Sequence, residues 1–114
     1  MLSIQNLMEI GVNTKEGLER CLNNEQFYLN LVRKTMEGDS FEKLNEAIRT
    51  NDLNTAFEIA HNLKGVTGNL ALTPLFQPLS EMTEHLRARE QMDYTSYIES
   101  ITASKQKIAA LCAD

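Results

Sequence analysis

The chain has 114 residues, a formal net charge of −5, and 42% hydrophobic against 24% charged residues. That balance suits one globular domain over residues 1–114, with a core that needs no disulfide or metal. Lys and Arg are scattered, with no basic stripe and no aromatic platform. Nucleic acid is therefore excluded as the expected partner. No apolar run approaches the length of a membrane span, and the N-terminus lacks the basic-then-apolar order of a signal peptide.

In chain order, every periodic segment reads as helix. Ser3 to Ile10 is a short helix closed by Gly11. Asn13 caps a second, with Glu16 completing a capping box, and Leu18, Cys21 and Leu22 are expected inward. Phe27, Leu29, Leu31, Val32 and Met36 are spaced as a helix over 25–36 that Gly38 stops. Asp39 caps the next, to Thr50, with Glu42 at the third position. Asp52 opens the longest informative helix, to about Leu70.

Thr73-Pro74 is the N-cap and first position of the following helix. Pro78 kinks it or moves its regular part downstream, and Leu75, Leu79, Met82 and Leu86 form its apolar stripe to about Arg89. The last helix runs from about Asp93 to Ala113 and buries Tyr97, Ile101, Ile108 and Leu111. Connections at 37–40, 51–52, 71–73 and 90–93 are short, so neighbours run antiparallel. The expected fold class is all-α: an antiparallel four-helix bundle preceded by one or two short helices.

The chemistry concentrates in Ala60-His61-Asn62-Leu63-Lys64-Gly65-Val66-Thr67-Gly68-Asn69-Leu70. His61, Lys64, Gly65 and Gly68 fall at i, i+3, i+4 and i+7, one helix face. Ala56, Ile59, Ala60, Leu63, Val66 and Leu70 gather around Leu63. At about 100° per residue His61 points roughly 160° away from Leu63. An exposed imidazole is a good phosphoryl acceptor, because it can be neutral near pH 7 and nucleophilic at one ring nitrogen. Lys64 can reach the phosphoryl oxygens and offset their charge.

Glycine costs roughly 1 kcal/mol in a helix relative to alanine, so Gly65 and Gly68 suggest clearance for a partner's backbone. A side chain at Gly68 is expected to leave the core undisturbed. Phe57, one turn before His61, is the candidate apolar docking contact. Singly, each of these residues has a plainer reading as a solvated helix position or a core-edge aromatic, and only their spacing makes the combination specific.

These residues resemble a family. His61-Asn62-Leu63-Lys64-Gly65, followed by Gly68-Asn69-Leu70 and Leu75, is similar to the active-site helix of histidine-containing phosphotransfer (HPt) domains. Upstream, Gly11-Val12-Asn13, Leu18, Arg20 and Phe27-Tyr28-Leu29 resemble the N-terminal segment of bacterial members. The resemblance implies a four-helix bundle without a catalytic centre of its own. In it His61 takes a phosphoryl group from the aspartyl phosphate of one receiver domain and passes it to another. Lys64 would stabilise the phosphoryl group, and Gly65 and Gly68 would clear the receiver.

The chain departs from the family pattern at Ala71, where Gly is common, and at Thr67, where a smaller residue is frequent. Members often orient the imidazole with a polar side chain from the next helix. Antiparallel pairing about the 71–73 turn makes Thr83 the candidate here, with Glu84 a near neighbour.

Rival readings carry less. Glu58-Ile59-Ala60-His61 is a Glu-x-x-His of the di-iron type, but a second copy at the right spacing is missing. A kinase dimerisation helix would place Glu and Pro near the histidine and be followed by a nucleotide-binding domain. Asn follows His61, and too little chain remains. His85 reads as a solvated or core-edge residue. The alternative retained is a non-catalytic docking module that binds receivers without turnover. The expected protein is a cytoplasmic, monomeric phosphorelay carrier with no cofactor and no metal. Its expected partners are the receiver domains of response regulators and hybrid sensor kinases. Met1 favours a free-standing protein, and Cys21 and Cys112 are read as unpaired thiols.

Overall fold

In the computed structural model, which describes residues 1–113, seven α-helices follow one another. They are α1 (Ile4–Glu9), α2 (Thr14–Arg20), α3 (Glu25–Glu37), α4 (Ser40–Arg49), α5 (Leu53–Asn69), α6 (Thr73–Arg87) and α7 (Thr95–Cys112). The all-α bundle expected from periodicity is what forms. Its most extensive pairing is α5 with α6; α4 packs on α5, and α7 packs on α6 and α3. Gly68 faces Phe76, Lys64 reaches Glu84 and Asn54 accepts from Arg89. Rising numbers on one helix meet falling numbers on the other, so α5 and α6 are antiparallel.

Short polar side chains start most of these helices by satisfying amides that have no partner in the first turn. Ser3 accepts from Asn6 N at 3.1 Å, Asn24 from Phe27 N at 3.0 Å and Asp52 from Thr55 N at 3.2 Å. The Thr55 bonds hold the Asp52 carboxyl below its usual range. Asn13 accepts from Glu16 N at 3.2 Å, but its own amide donates to the Ala71 carbonyl at 3.1 Å. The expected capping box is thus half replaced by a bond that ties α2 to the end of α5.

Two cap assignments need correction. Asp39 makes no capping bond and pairs with Lys43 at 3.4 Å instead. Leu72, not Thr73, is the N-cap of α6, and Pro74 is its second residue. Thr73 Oγ1 donates back to the Ala71 carbonyl at 3.3 Å. Pro78 does not displace the start of α6, which is continuous from Thr73.

Helix ends close through left-handed residues. Asn51, Ala71 and Arg89 have φ of 58°, 54° and 53°. The next amide then bonds five residues back: Asp52 N to Ala47 O, Leu72 N to Thr67 O and Glu90 N to His85 O, at 2.8, 2.9 and 3.1 Å. This explains why the resemblance looks for Gly at position 71, since a left-handed alanine costs about 1 kcal/mol or more. The same geometry closes α1, where Gly11 has φ 95°.

The core runs through Leu7, Tyr28, Val32, Leu44, Ala56, Ala60, Leu75, Leu79, Met82, Leu86 and Ile108, all fully buried. Four inward assignments are corrected. Leu22 is 89% exposed, because its own φ of 59° turns it out of the α2–α3 connection. Val66 is 42% exposed, and Thr67 is fully buried in its place. The stripe of α5 is therefore Ala56, Ala60, Leu63, Thr67 and Leu70. Thr67 Oγ1 satisfies itself on the Leu63 carbonyl at 2.8 Å, which lets a polar residue sit inward. Tyr97 and Leu111 are half-buried, whereas Ile101 and Ile108 are buried as expected.

Buried Tyr28 joins α3 to the end of α5: its hydroxyl donates to the Leu70 carbonyl at 2.8 Å. Gly17 of α2 lies against the same pair, and a Cβ there would stand 2.5 Å from Tyr28 Cε1 and 2.7 Å from the Leu70 oxygen. Burial pushes the Tyr28 phenol from 10.0 up to about 12. The unfolded chain therefore gives up this proton first. The resulting stability is whole below pH 10 and is lost as pH rises through 12. Urea melts across that window should show a steeper loss for the parent than for Tyr28→Phe. At neutral pH the variant should be less stable by about 1 kcal/mol through the lost hydrogen bond.

Candidate functional site

α5 carries the site because its apolar stripe fixes its rotation. With Ala56, Ala60, Leu63 and Thr67 inward, His61 and Gly65 are left on the exposed side and Lys64 half-buried beside them. His61, Lys64, Gly65 and Gly68 share one open depression of about 450 Å³. The four residues singled out by spacing are thus brought together. Phe57, the fifth, is half-buried and stacks on the His61 ring, with centroids 5.7 Å apart and planes 23° apart.

The two glycines differ. A Cβ on Gly65 would meet nothing within 4 Å. On Gly68 it would stand 2.9 Å from Phe76 Cε1 and 3.1 Å from Cδ1. Gly68 is half-buried against α6, so the expectation that a side chain there leaves the packing undisturbed is corrected. Its glycine accommodates the Phe76 ring. Open backbone on the His61 face is found at Gly65.

Thr83 is also corrected. It is fully buried, and its hydroxyl donates to the Leu79 carbonyl at 2.6 Å. The α6 stripe carries it inward with Leu79, Met82 and Leu86, so it does not orient His61. Glu84, its neighbour on α6, instead reaches Lys64, with its carboxylate 4.0 Å from Nζ. Glu84 is 60% exposed, so this pair contributes less than about 1 kcal/mol. A phosphoryl oxygen can displace it. His85, in the last turn of α6, is half-buried with Nδ1 2.9 Å from Glu90.

Sequence reasoning missed what α2 and α6 add to the walls. Arg20 lines the depression with Glu16 and Phe76. Its guanidinium donates to the Gly68 carbonyl and pairs with Glu16. A Glu and an Arg four apart read as a solvated helix pair. The available signal was Gly17 in the middle of a short helix, which marks a close backbone approach to α5. Arg87 and Arg89 lie over the Phe57 ring, with Cζ 5.1 and 4.8 Å from its centroid. Among the described residues, no group of three or more His, Cys, Asp or Glu is placed to hold a metal ion. Cys21 and Cys112 are unpaired.

Chemically, the arrangement offers an accessible imidazole, a cation one turn on and bare backbone beside them at Gly65. It can accept an electrophilic group from a partner that comes close, and it can stabilise a dianion. A family model described as Hpt domain matches residues 28–114. No curated protein and no solved structure matches the chain.

Proposed function

Because the chain belongs to the Hpt domain family, phosphocarriers of two-component systems without kinase activity of their own, we propose that His61 is its phosphoryl-accepting residue. The donor is the aspartyl phosphate of a receiver domain, and a second receiver is the acceptor. The observation that carries this reading is the exposed imidazole of His61 in one depression with Lys64 and the open backbone of Gly65.

In the transfer, one ring nitrogen of His61 attacks phosphorus in line. The nitrogen–phosphorus bond forms as the bond to the aspartyl oxygen breaks, and the carboxylate leaves with the electron pair. The other ring nitrogen holds the imidazole proton. Onward transfer reverses these steps on a second receiver. Lys64 exchanges Glu84 for the phosphoryl oxygens as charge gathers there. Such a carrier works as a monomer in the cytoplasm, with residues 1–114 as one module. No helix of the described residues is long and apolar enough to cross a membrane.

The test is to incubate the chain with phosphorylated receivers and with phosphoramidate, then map the label. Acid-labile label on His61 is expected. Receiver binding without label would indicate a docking module, and acid-stable label on Ser or Thr would overturn the assignment. Lys64→Ala should bind receivers as the parent does and transfer about ten-fold more slowly or worse. Unchanged rates in both directions would leave Lys64 as a solvated helix residue.

A further inference from the structure

We propose that Phe57 is a positioning residue that sets the orientation of the His61 imidazole by stacking, with Arg87 and Arg89 holding the Phe57 ring. The proposal rests on His61 being the phosphoryl acceptor.

A nucleophilic imidazole must present one nitrogen along the line of attack, and a freely rotating side chain does so only part of the time. A hydrogen bond from a neighbouring helix is one way to fix the ring. Among the described residues none is made to His61, and Thr83, the polar residue opposite on α6, spends its hydroxyl on Leu79 at 2.6 Å. The contact His61 does make is the near-parallel stack on Phe57, one turn earlier on the same helix, with centroids at 5.7 Å and planes 23° apart. Stacking restricts the imidazole's side-chain torsions and leaves both ring nitrogens free, as an acceptor requires.

The Phe57 ring is itself held. Arg87 and Arg89 lie over it at 5.1 and 4.8 Å. Arg89 reaches it because its φ of 53° ends α6. Its guanidinium is then tied to Asn54 Oδ1 at 2.6 Å and to the Leu86 carbonyl at 2.8 Å. Arg87 lies 3.5 Å from Glu84, which in turn is 4.0 Å from Lys64. One set of contacts thus runs from the stack to the cation that meets the phosphoryl group. The half-buried ring is engaged within the chain, which favours positioning over the docking role its sequence position suggested.

The experiment compares the parent, Phe57→Leu and Phe57→Tyr by two readouts. The carbon-bound ring protons of His61 in NMR spectra report stacking. The initial rate of phosphorylation by phosphoramidate reports chemistry without docking. The parent and Phe57→Tyr should show ring-current-displaced protons and equal rates. Phe57→Leu should show protons near free-imidazole positions and a rate lower by about two- to ten-fold, the range of aromatic pair strengths.

Arg89→Gly suits the left-handed φ while removing the guanidinium, and should shift both readouts in the same direction by less. The proposal is overturned if Phe57→Leu keeps the parent rate with phosphoramidate and loses only receiver transfer, since Phe57 would then be a docking contact. Parent-like ring-proton positions in Phe57→Leu, or a Phe57→Tyr protein as slow as Phe57→Leu, would also overturn it. Absence of label on His61 in the parent would instead remove the proposed function, and the ring protons would still report the stack.

Discussion

His61→Gln should abolish phosphoryl transfer from every receiver and from phosphoramidate while leaving a folded protein. No other imidazole lines the depression, and an amide nitrogen is not nucleophilic enough to replace one. His61 is exposed, so its replacement removes little buried area. What is lost is the stack on Phe57, and the variant should stay within about 1 kcal/mol of the parent. Far-ultraviolet circular dichroism and thermal melting would check the fold, and acid-labile label the chemistry. Label that persists on the variant would move the acceptor elsewhere, with His85 the first residue to inspect.

Gly65→Gln should block receiver transfer by about 100-fold, the scale set by displacing reacting groups by about 1 Å. It should leave phosphoramidate labelling within a few-fold of the parent. The new side chain enters open space beside His61, where a receiver must bring its aspartyl phosphate close. It should also raise the melting temperature slightly, because it relieves glycine's helix penalty of up to about 1 kcal/mol. Gly68→Gln makes the contrast. It gains the same propensity but drives its Cβ into the Phe76 ring at 2.9 Å. Its melting temperature should therefore fall below that of Gly65→Gln. Equal melting temperatures would mean that Phe76 swings aside freely. Parent-like receiver transfer in Gly65→Gln would show that the partner approaches His61 from another direction.

Much of this was legible in the chain because the signals are local. Apolar spacing, caps at Asn13 and Asp52, and Pro74 near a helix start act over one or two turns, and each marked a helix that exists. The rotation of α5 was legible too, since Ala56, Ala60 and Leu63 outweigh any one misplaced residue. Val66 was expected inward because it is more apolar than its neighbour Thr67. The structure buries the threonine instead, with its hydroxyl satisfied on the turn before. Leu22 failed for another reason: periodicity predicts direction only within a helix, and Leu22 sits in a left-handed turn past the end of one.

By itself the sequence determined that the chain is helical, where its helices begin and end to within a few residues, and that His61, Lys64 and Gly65 share a face. Those properties follow from period, caps and backbone propensity, which depend on near neighbours. Tertiary structure alone decided what faces that helix. It set Phe76 over Gly68, turned Thr83 into the core, brought Arg20 from α2 to the Gly68 carbonyl, and laid Arg87 and Arg89 on Phe57. Each of these depends on the register between helices, which is set by how whole side-chain layers interlock across an interface. A single strand of letters does not carry that distance information, so the two glycines looked alike in the chain and differ in the fold.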